Sequence, residues 1–389
     1  MGEPVIVAAA RTPIGRRGGG LAGLKAVELL RHVQVEVIKR AGIEPDTVDQ
    51  IIGGCVTQAG EQSLNVTRNA WLSTGLSYEV GATTVDASCG SAQQANHLAA
   101  GLIAAGAADV VVACGVESMS RVPIGVNLYQ GPGHYKTADY PWDDPPKAQF
   151  GGAERIAARE GFTREELDGY GVRSQRLAAA AWEAGAFDDE IAPLLAPVLD
   201  ASGEPTGEQR TVSRDEGLRP TTAEGLAALR STVDGGLHTA GTTSQVSDGA
   251  AALLWMDRDL ATASGLRPRA RLAQQVVTGA DPYFLLDGPV VATRKALARA
   301  KMTIDDIDRY EVNEAFAAVV LTWLRAHGGD PDRLNVNGGA IALGHPLGAS
   351  GTRLLVSALH ELERTGGEHA LVTMCCGGSL GTASILQRL

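Results

Sequence analysis

Two segments of the chain repeat one pattern: a short apolar run, a turn of small residues carrying one reactive side chain, a helical stretch, and a second apolar run. The first passes from Thr83-Thr-Val85 through Asp86-Ala-Ser-Cys-Gly-Ser91 and a long alanine-rich stretch to Asp109-Val-Val-Val-Ala-Cys-Gly115. The second leads from Leu334-Asn-Val-Asn337 into Gly338-Gly-Ala-Ile-Ala-Leu-Gly-His-Pro-Leu-Gly348. It continues through a helix from about Ala349 to Arg364 and ends in His369-Ala-Leu-Val-Thr-Met-Cys-Cys-Gly-Gly378. Strand, sharp turn, helix, strand is a βαβ unit. Repeating it near both ends predicts an α/β chain of two related halves, each a sheet layered with helices.

The remaining sequence fits around these units. Pro4-Val-Ile-Val-Ala8 and Ile51-Ile-Gly-Gly-Cys-Val56 read as buried strands, and Val27 to Arg40 has helical apolar spacing that closes at Gly42. From 119 to 246 the character changes. Pro123, Pro132, Pro141, Pro145 and Pro146 are followed by helical, charged sequence from Ala153 to Ala184 and by Arg210, Arg214 and Arg219. Insertions on a rigid scaffold commonly carry specificity, so this stretch is expected to form a binding domain over the site. Ser247 to Trp255 returns to strand or helix composition. The expected organisation is therefore 1–118 plus 247–266 as the first half, 119–246 as the insertion, and 267–389 as the second half.

Composition narrows the chemistry. Glycine supplies 48 of 389 residues, well above the usual share of about 7%, with no collagen-like period. The excess serves tight turns and close backbone approaches. A net charge of −11 disfavours a whole-surface nucleic-acid footprint, so any polyanionic ligand needs a local basic patch. Five cysteines (Cys55, Cys89, Cys114, Cys375, Cys376) are an odd number without a CxxC pair, which argues against a disulfide framework and for a reducing cytoplasm. The most apolar long window, Ala99 to Val116, contains Asp109, which argues against a membrane span.

Four positions can carry chemistry. Cys89 sits at a strand-to-helix turn, where helix N–H groups would stabilise a thiolate; its alternative is a small buried hydrophobe. His345, framed by Gly344 and Pro346, suits a base that takes a thiol proton, or else stabilises its own turn. Asn313, after the apparent strand Tyr310-Glu-Val312, could hold a water or serve an oxyanion, or simply cap a helix. Cys375 ends a buried strand before glycines whose amides are free for an anion. Cys55 and Cys114 read as core. No standard zinc spacing joins Cys89, Cys375, Cys376 and His345, and no metal is expected.

The four blocks Asp86-Ala-Ser-Cys-Gly-Ser91, Asn313-Glu-Ala-Phe316, Gly344-His-Pro346 and Cys375-Cys-Gly-Gly378, in this order, resemble the thiolase family. The resemblance also covers Ala9-Ala-Arg-Thr-Pro-Ile-Gly15 and Ala240 to Gly249, and so essentially the whole chain. Gly53 to Gln58, Gln94 to His97 and His238 to Gly241 look most like actinobacterial enzymes that shorten steroid side chains as CoA esters. The resemblance implies a thiolase fold and thiolytic cleavage of a 3-ketoacyl-CoA by CoA, releasing acetyl-CoA. Cys89 would be the acyl-accepting nucleophile, His345 its base and Cys375 the second acid/base. His345 with an Asn313-held water would form one oxyanion hole, and the N–H groups of Cys89 and Gly377 the other. Arg219, Ser244, Ala315 and Phe316 would contact CoA and substrate. Coenzyme A and acyl-CoA enter as substrates, with no permanently bound cofactor, no nucleic acid and no membrane, in a homodimer or homotetramer.

Two departures stand out. Ala148-Gln-Phe150 replaces the family's common His-Met-Gly, which implies a reshaped acyl pocket and favours a bulky acyl group such as a steroid side chain. Cys376 occupies a position usually aliphatic. The alternatives are acetoacetyl-CoA synthesis by the same residues in reverse, and a catalytically silent CoA or lipid carrier on the same scaffold. A β-ketoacyl synthase is disfavoured because its chemistry does not need the second cysteine.

Overall fold

The computed structural model describes residues 2–129, 133 and 135–389, so Pro132 lies outside the described residues. Its strands are β1 (Pro4–Arg11), β2 (Gly15–Arg16), β3 (Gln50–Gly54), β4 (Gly81–Val85), β5 (Val110–Ser118), β6 (Leu194–Leu199), β7 (Pro205–Val212), β8 (Ser247–Asp257), β9 (Ala270–Gly279), β10 (Arg309–Val312), β11 (His369–Cys376) and β12 (Leu380–Arg388). Among the described residues β6 and β7 form a separate hairpin. The main sheet runs β10-β11-β12-β9-β1-β8-β5-β3-β4. Its two parts are joined through Ile6 opposite Ala270.

The two parts share one strand order. β4-β3-β5-β8-β1 on one side is matched by a Leu334 bridge to Tyr310, then β10-β11-β12-β9, on the other. β3 pairs β4 and β5 in parallel, and β10 pairs β11 in parallel. The expected extended lead at Leu334–Asn337 reduces to that one bridge. Asn335 adopts φ 45°, and its side chain takes the sheet-edge role by accepting from Val312 N–H (2.9 Å) and donating to Val312 O (2.8 Å).

Strand alternation sorts the core into layers. In β5, Val110, Val112, Cys114 and Val116 pack with the outer helix Ala26–Ala41, while Val111 and Ala113 face inward with Leu354, Leu355 and Leu359. The helices Ser91–Ala104 and Ser350–Thr365 fill this inner layer between the two sheet parts. Val312, Leu371 and Trp323 belong to the outer cluster of the second half. β8 joins β1 and β5, which settles Ser247–Trp255 as strand in the first part. The expected helical sequence from Ala153 to Ala184 lies in two helices, Gln149–Glu160 and Arg164–Glu183, parted at Gly161 (φ 67°) with Thr163 capping the second. Cys55 and Cys114 are buried in the first outer cluster.

Candidate active site

Cys89 lies in the three-residue turn between Ala87 and the helix Ser91–Ala104, and the turn is over-determined by hydrogen bonds. Ser88 takes φ 52° and its N–H donates to Asp86 Oδ1 at 2.7 Å. Ala87 N–H donates to Ser91 Oγ (2.9 Å), whose hydroxyl donates to Ser88 O (2.5 Å). The backbone N–H groups of Cys89 and Gly377 lie near enough to the Cys89 sulfur to favour its thiolate. Burial pushes the thiol up to about 11 against the pull of those two donors, and Glu117 and Asp86 add to the rise. Burial thus works against the helix-stabilised thiolate expected at this turn, while the two backbone donors work for it.

His345 is fixed at its backbone and at both ring nitrogens. Gly344 adopts φ 116°, and a Cβ there would stand 2.3 Å from Ser247 Oγ. The His345 N–H faces Gln245 O (3.3 Å) and Ser247 Oγ (3.2 Å). Ser350 Oγ donates to Pro346 O (2.8 Å) and stands 2.6 Å from His345 Nδ1. Its own proton being committed, the hydroxyl accepts from Nδ1–H, which puts the ring's lone pair on Nε2. Asn313 Nδ2 is 3.3 Å from that Nε2. Burial, helped by the Arg353 charge, pushes His345 down to about 3, so the imidazole is neutral.

Asn313 directly follows β10, its N–H donating to Thr373 O at 3.0 Å. The helix-cap alternative is not adopted, because the next helix begins at Ala317 with Phe316 as its N-cap. Among the described residues Asn313 Oδ1 is buried without a partner. Cys375 stands opposite Gly381 on the β11–β12 hairpin and packs with Val312, Ala315 and Phe316. Cys376, one residue on, faces the inner layer, its sulfur under Gly90, where a Cβ would lie 2.7 Å away. Burial raises both thiols, and the nearby Cys89 raises them further.

Ser244 N–H donates to Ala315 O at 3.0 Å, and Thr243 bridges Phe316. The Phe316 ring meets Phe150 edge-on at 5.4 Å. A cavity of about 600 Å³ here is lined by Arg16, Arg17, Phe150, Arg219, Thr243 and Ser244, among others. Cys89, His345, Asn313 and Cys375 do not line it. Gln245 does, and its carbonyl accepts the His345 N–H. The structure thus groups Cys89 with Gly377, His345 with Asn313, Cys375 with Ala315 and Phe316, and Arg219 with Ser244.

Several supporting residues escaped sequence reasoning. Arg16 and Arg17 join Arg219 from a distant segment, so nothing local marks them. Glu314 reads as a first-turn helix acid but is fully buried, accepting from Tyr170 Oη (2.8 Å), Ser174 Oγ (2.6 Å), Asn335 Nδ2 (3.0 Å) and Ile341 N (3.1 Å). Glu117 likewise accepts from Val56 N (3.0 Å), Thr57 N (3.0 Å), Gln62 Nε2 (2.7 Å) and Gly348 N (2.9 Å). The two carboxylates pin the Asn313 and His345 loops.

A buried cysteine at a helix-opening turn and a neutral imidazole whose lone pair sits on Nε2 are the two groups that acyl transfer through a cysteine needs. The thiolase N-terminal domain model matches residues 4–259 and the thiolase C-terminal domain model residues 266–388. The chain belongs to the thiolase family and is an acyltransferase enzyme. It is 42% identical over 397 residues to the steroid 3-ketoacyl-CoA thiolase FadA6 of Mycobacterium tuberculosis, covering 100% of this chain and 95% of that protein. It is also 42% identical to an acetyl-CoA acetyltransferase of Chromobacterium violaceum, covering 99% of this chain and 100% of that one. The crystal structure of the Bacillus anthracis acetyl-CoA acetyltransferase superposes with a TM-score of 0.91 at 37% identity, covering 100% and 99% of the two chains.

Proposed function

We propose that this chain cleaves a 3-ketoacyl-CoA thiolytically through an acyl-Cys89 intermediate. Cys89 Sγ attacks the 3-keto carbon as its proton passes to His345 Nε2. Burial pushes the thiol up and the imidazole down, which favours moving the proton as the carbon–sulfur bond forms. The C2–C3 bond then breaks, its electron pair leaving as the enolate of acetyl-CoA, which Cys375 protonates. Free CoA attacks the acyl-cysteine, giving its thiol proton to the Cys375 thiolate. Collapse releases the shortened acyl-CoA, and His345 returns a proton to Cys89.

Charge develops at two oxygens in turn. The nearness of the Cys89 and Gly377 N–H groups to Sγ supports the reading, because the acyl-cysteine oxygen would form within reach of the same donors. Protonated His345 and a water on the unpartnered Asn313 Oδ1 would serve the enolate oxygen. Losing one such donor typically costs about 3–4 kcal/mol of transition-state stabilisation.

The division at 118, 246 and 266 places both chemical units in the halves and the Arg219–Ser244 wall in or beside the insertion. Arg219, with Arg16 and Arg17, would bind the CoA phosphates, and Ser244, Ala315 and Phe316 the arm that follows. CoA is consumed as substrate, and the reading requires no permanently held cofactor. We place the enzyme in the cytoplasm as a homodimer or homotetramer; no helix among the described residues is long and apolar enough to cross a membrane.

For the acyl group we propose a bulky one, such as a steroid side chain. The FadA6 similarity and the Ala148-Gln-Phe150 substitution support it. CoA-dependent thiolysis of acetoacetyl-, medium linear and steroid side-chain 3-ketoacyl-CoA, with Cys89→Ala as control, tests this. Steroid preference lost in the variant supports both parts; preference for acetoacetyl-CoA overturns the bulky pocket and favours the condensation reading that the Chromobacterium similarity suggests. Turnover of none of the three would favour the carrier.

A further inference from the structure

Gly377, whose N–H lies near the Cys89 sulfur, is flanked by two polar side chains. A Cβ at Gly377 would stand 3.0 Å from Ser88 Oγ and 3.7 Å from Gln149 Nε2. The Ser88 hydroxyl and the Gln149 amide are both half-buried, and neither hydrogen-bonds to any group of the protein among the described residues.

Both are held there at some conformational cost. Ser88 takes φ 52°. Gln149 opens its helix after two consecutive left-handed residues, Lys147 (φ 56°) and Ala148 (φ 49°). Non-glycine residues in such conformations persist only where surrounding structure insists on them, and they gather at ligand sites. The turn is tight: Ala148 N–H donates to Pro145 O (3.2 Å), and a Cβ at Gly151 would stand 1.9 Å from Pro146 O. Phe150, the next residue, is anchored edge-on against Phe316. A cheaper turn would aim position 149 elsewhere.

We propose that Gln149 and Ser88 form a polar subsite for the acyl group, selecting 3-ketoacyl-CoA substrates whose acyl portion carries an uncharged oxygen, a hydroxyl or carbonyl, close to the carbon that Cys89 attacks. The inference rests on the thiolysis reading and names the substrate class for it. An amide and a hydroxyl with no protein partner are satisfied by water when the site is empty. An apolar chain displaces that water and leaves both unpaired, whereas an oxygenated chain replaces it. Sites built to hydrogen-bond a substrate discriminate against the analogue lacking the group for this reason.

The test is a competition between 3-oxohexanoyl-CoA and 5-hydroxy-3-oxohexanoyl-CoA, reading the ratio of their kcat/KM values for wild type, Gln149→Met and Ser88→Ala. Each ratio cancels the amount of folded enzyme, and the second variant covers a folding failure of the first. Wild type should favour the hydroxylated substrate about tenfold, with the ratio falling toward or below one in Gln149→Met and partway in Ser88→Ala. A wild-type preference for the plain chain, or a ratio unmoved by both substitutions, overturns the polar subsite and leaves thiolysis standing. No thiolysis of either substrate while the steroid side-chain 3-ketoacyl-CoA is cleaved overturns the subsite and leaves thiolysis standing; no thiolysis of all three overturns both.

Discussion

The proposed Cys89–His345 chemistry depends on where protons rest. His345, pushed down to about 3 by burial and by Arg353, must be neutral to accept the thiol proton, and it stays neutral throughout the ordinary histidine range. Its depressed value moves the acidic loss of activity below the usual 6.5, so kcat/KM should stay within about twofold between pH 5.5 and 8. An acidic limb centred near 6.5 in a stopped-flow or coupled assay would contradict this. Ser350 is the positioning residue for the same ring, through 2.6 Å at Nδ1. Ser350→Ala should lower kcat about 10- to 100-fold with little change in CoA KM, because the tautomer presenting Nε2 loses its anchor. At this scale the sequence shows Cys89, His345, Asn313 and Cys375 because each lies in a glycine- or proline-marked turn. It hides Ser350, Glu314 and Glu117, whose roles come from partners up to 231 positions away.

The elements deliver these residues by close backbone approach. Gly54, ending β3, meets the start of the Cys89 helix: a Cβ there would stand 2.4 Å from Ala92 N. Backbone cannot swing aside as a side chain can, so Gly54→Ala must push the helix N-terminus outward. We expect a loss of about 1–3 kcal/mol in chemical denaturation, and a kcat drop well beyond what the folded fraction explains. Strand-turn-helix-strand patterning made β4, β5 and β11 readable with the helices that follow the two reactive turns. Two kinds of element were not read. β12 and β9 alternate polar and apolar residues weakly because they lie between helices and partner strands. The β6–β7 hairpin carries mostly exposed residues in β7, so no buried face marks it.

For the whole molecule, the proposed site draws on two similarly ordered sheet parts, Cys89 coming from one and His345 and Cys375 from the other. Gly115 and Gly348 touch across it, where a Cβ on Gly115 would stand 2.1 Å from Gly348 O. Glu117 ties the same place by accepting Gly348 N–H along with three donors of the first half. Glu117→Ala leaves the N–H groups of Val56, Thr57 and Gly348 unpaired and takes one of two acceptors from Gln62 Nε2, and should destabilise the fold by about 3 kcal/mol, read as a lowered unfolding midpoint. Catalysis should fall with it, since Gly348 lies three residues past His345. A midpoint within 1 °C of wild type would show that the seam is held elsewhere. The repeat was legible in the two βαβ signatures; the contact that registers one half on the other is backbone against glycine, which sequence pattern does not encode.

The acyl-cysteine is the claim on which the rest depends, and intact-mass spectrometry tests it most directly. Enzyme quenched in acid after mixing with a 3-ketoacyl-CoA, in the absence of free CoA, should gain the mass of the shortened acyl group, mapped by peptide digestion to Cys89. Added CoA should remove it, and Cys89→Ala should never acquire it. An acyl group found on Cys375 instead, or turnover in wild type with no adduct at any time, would contradict the account.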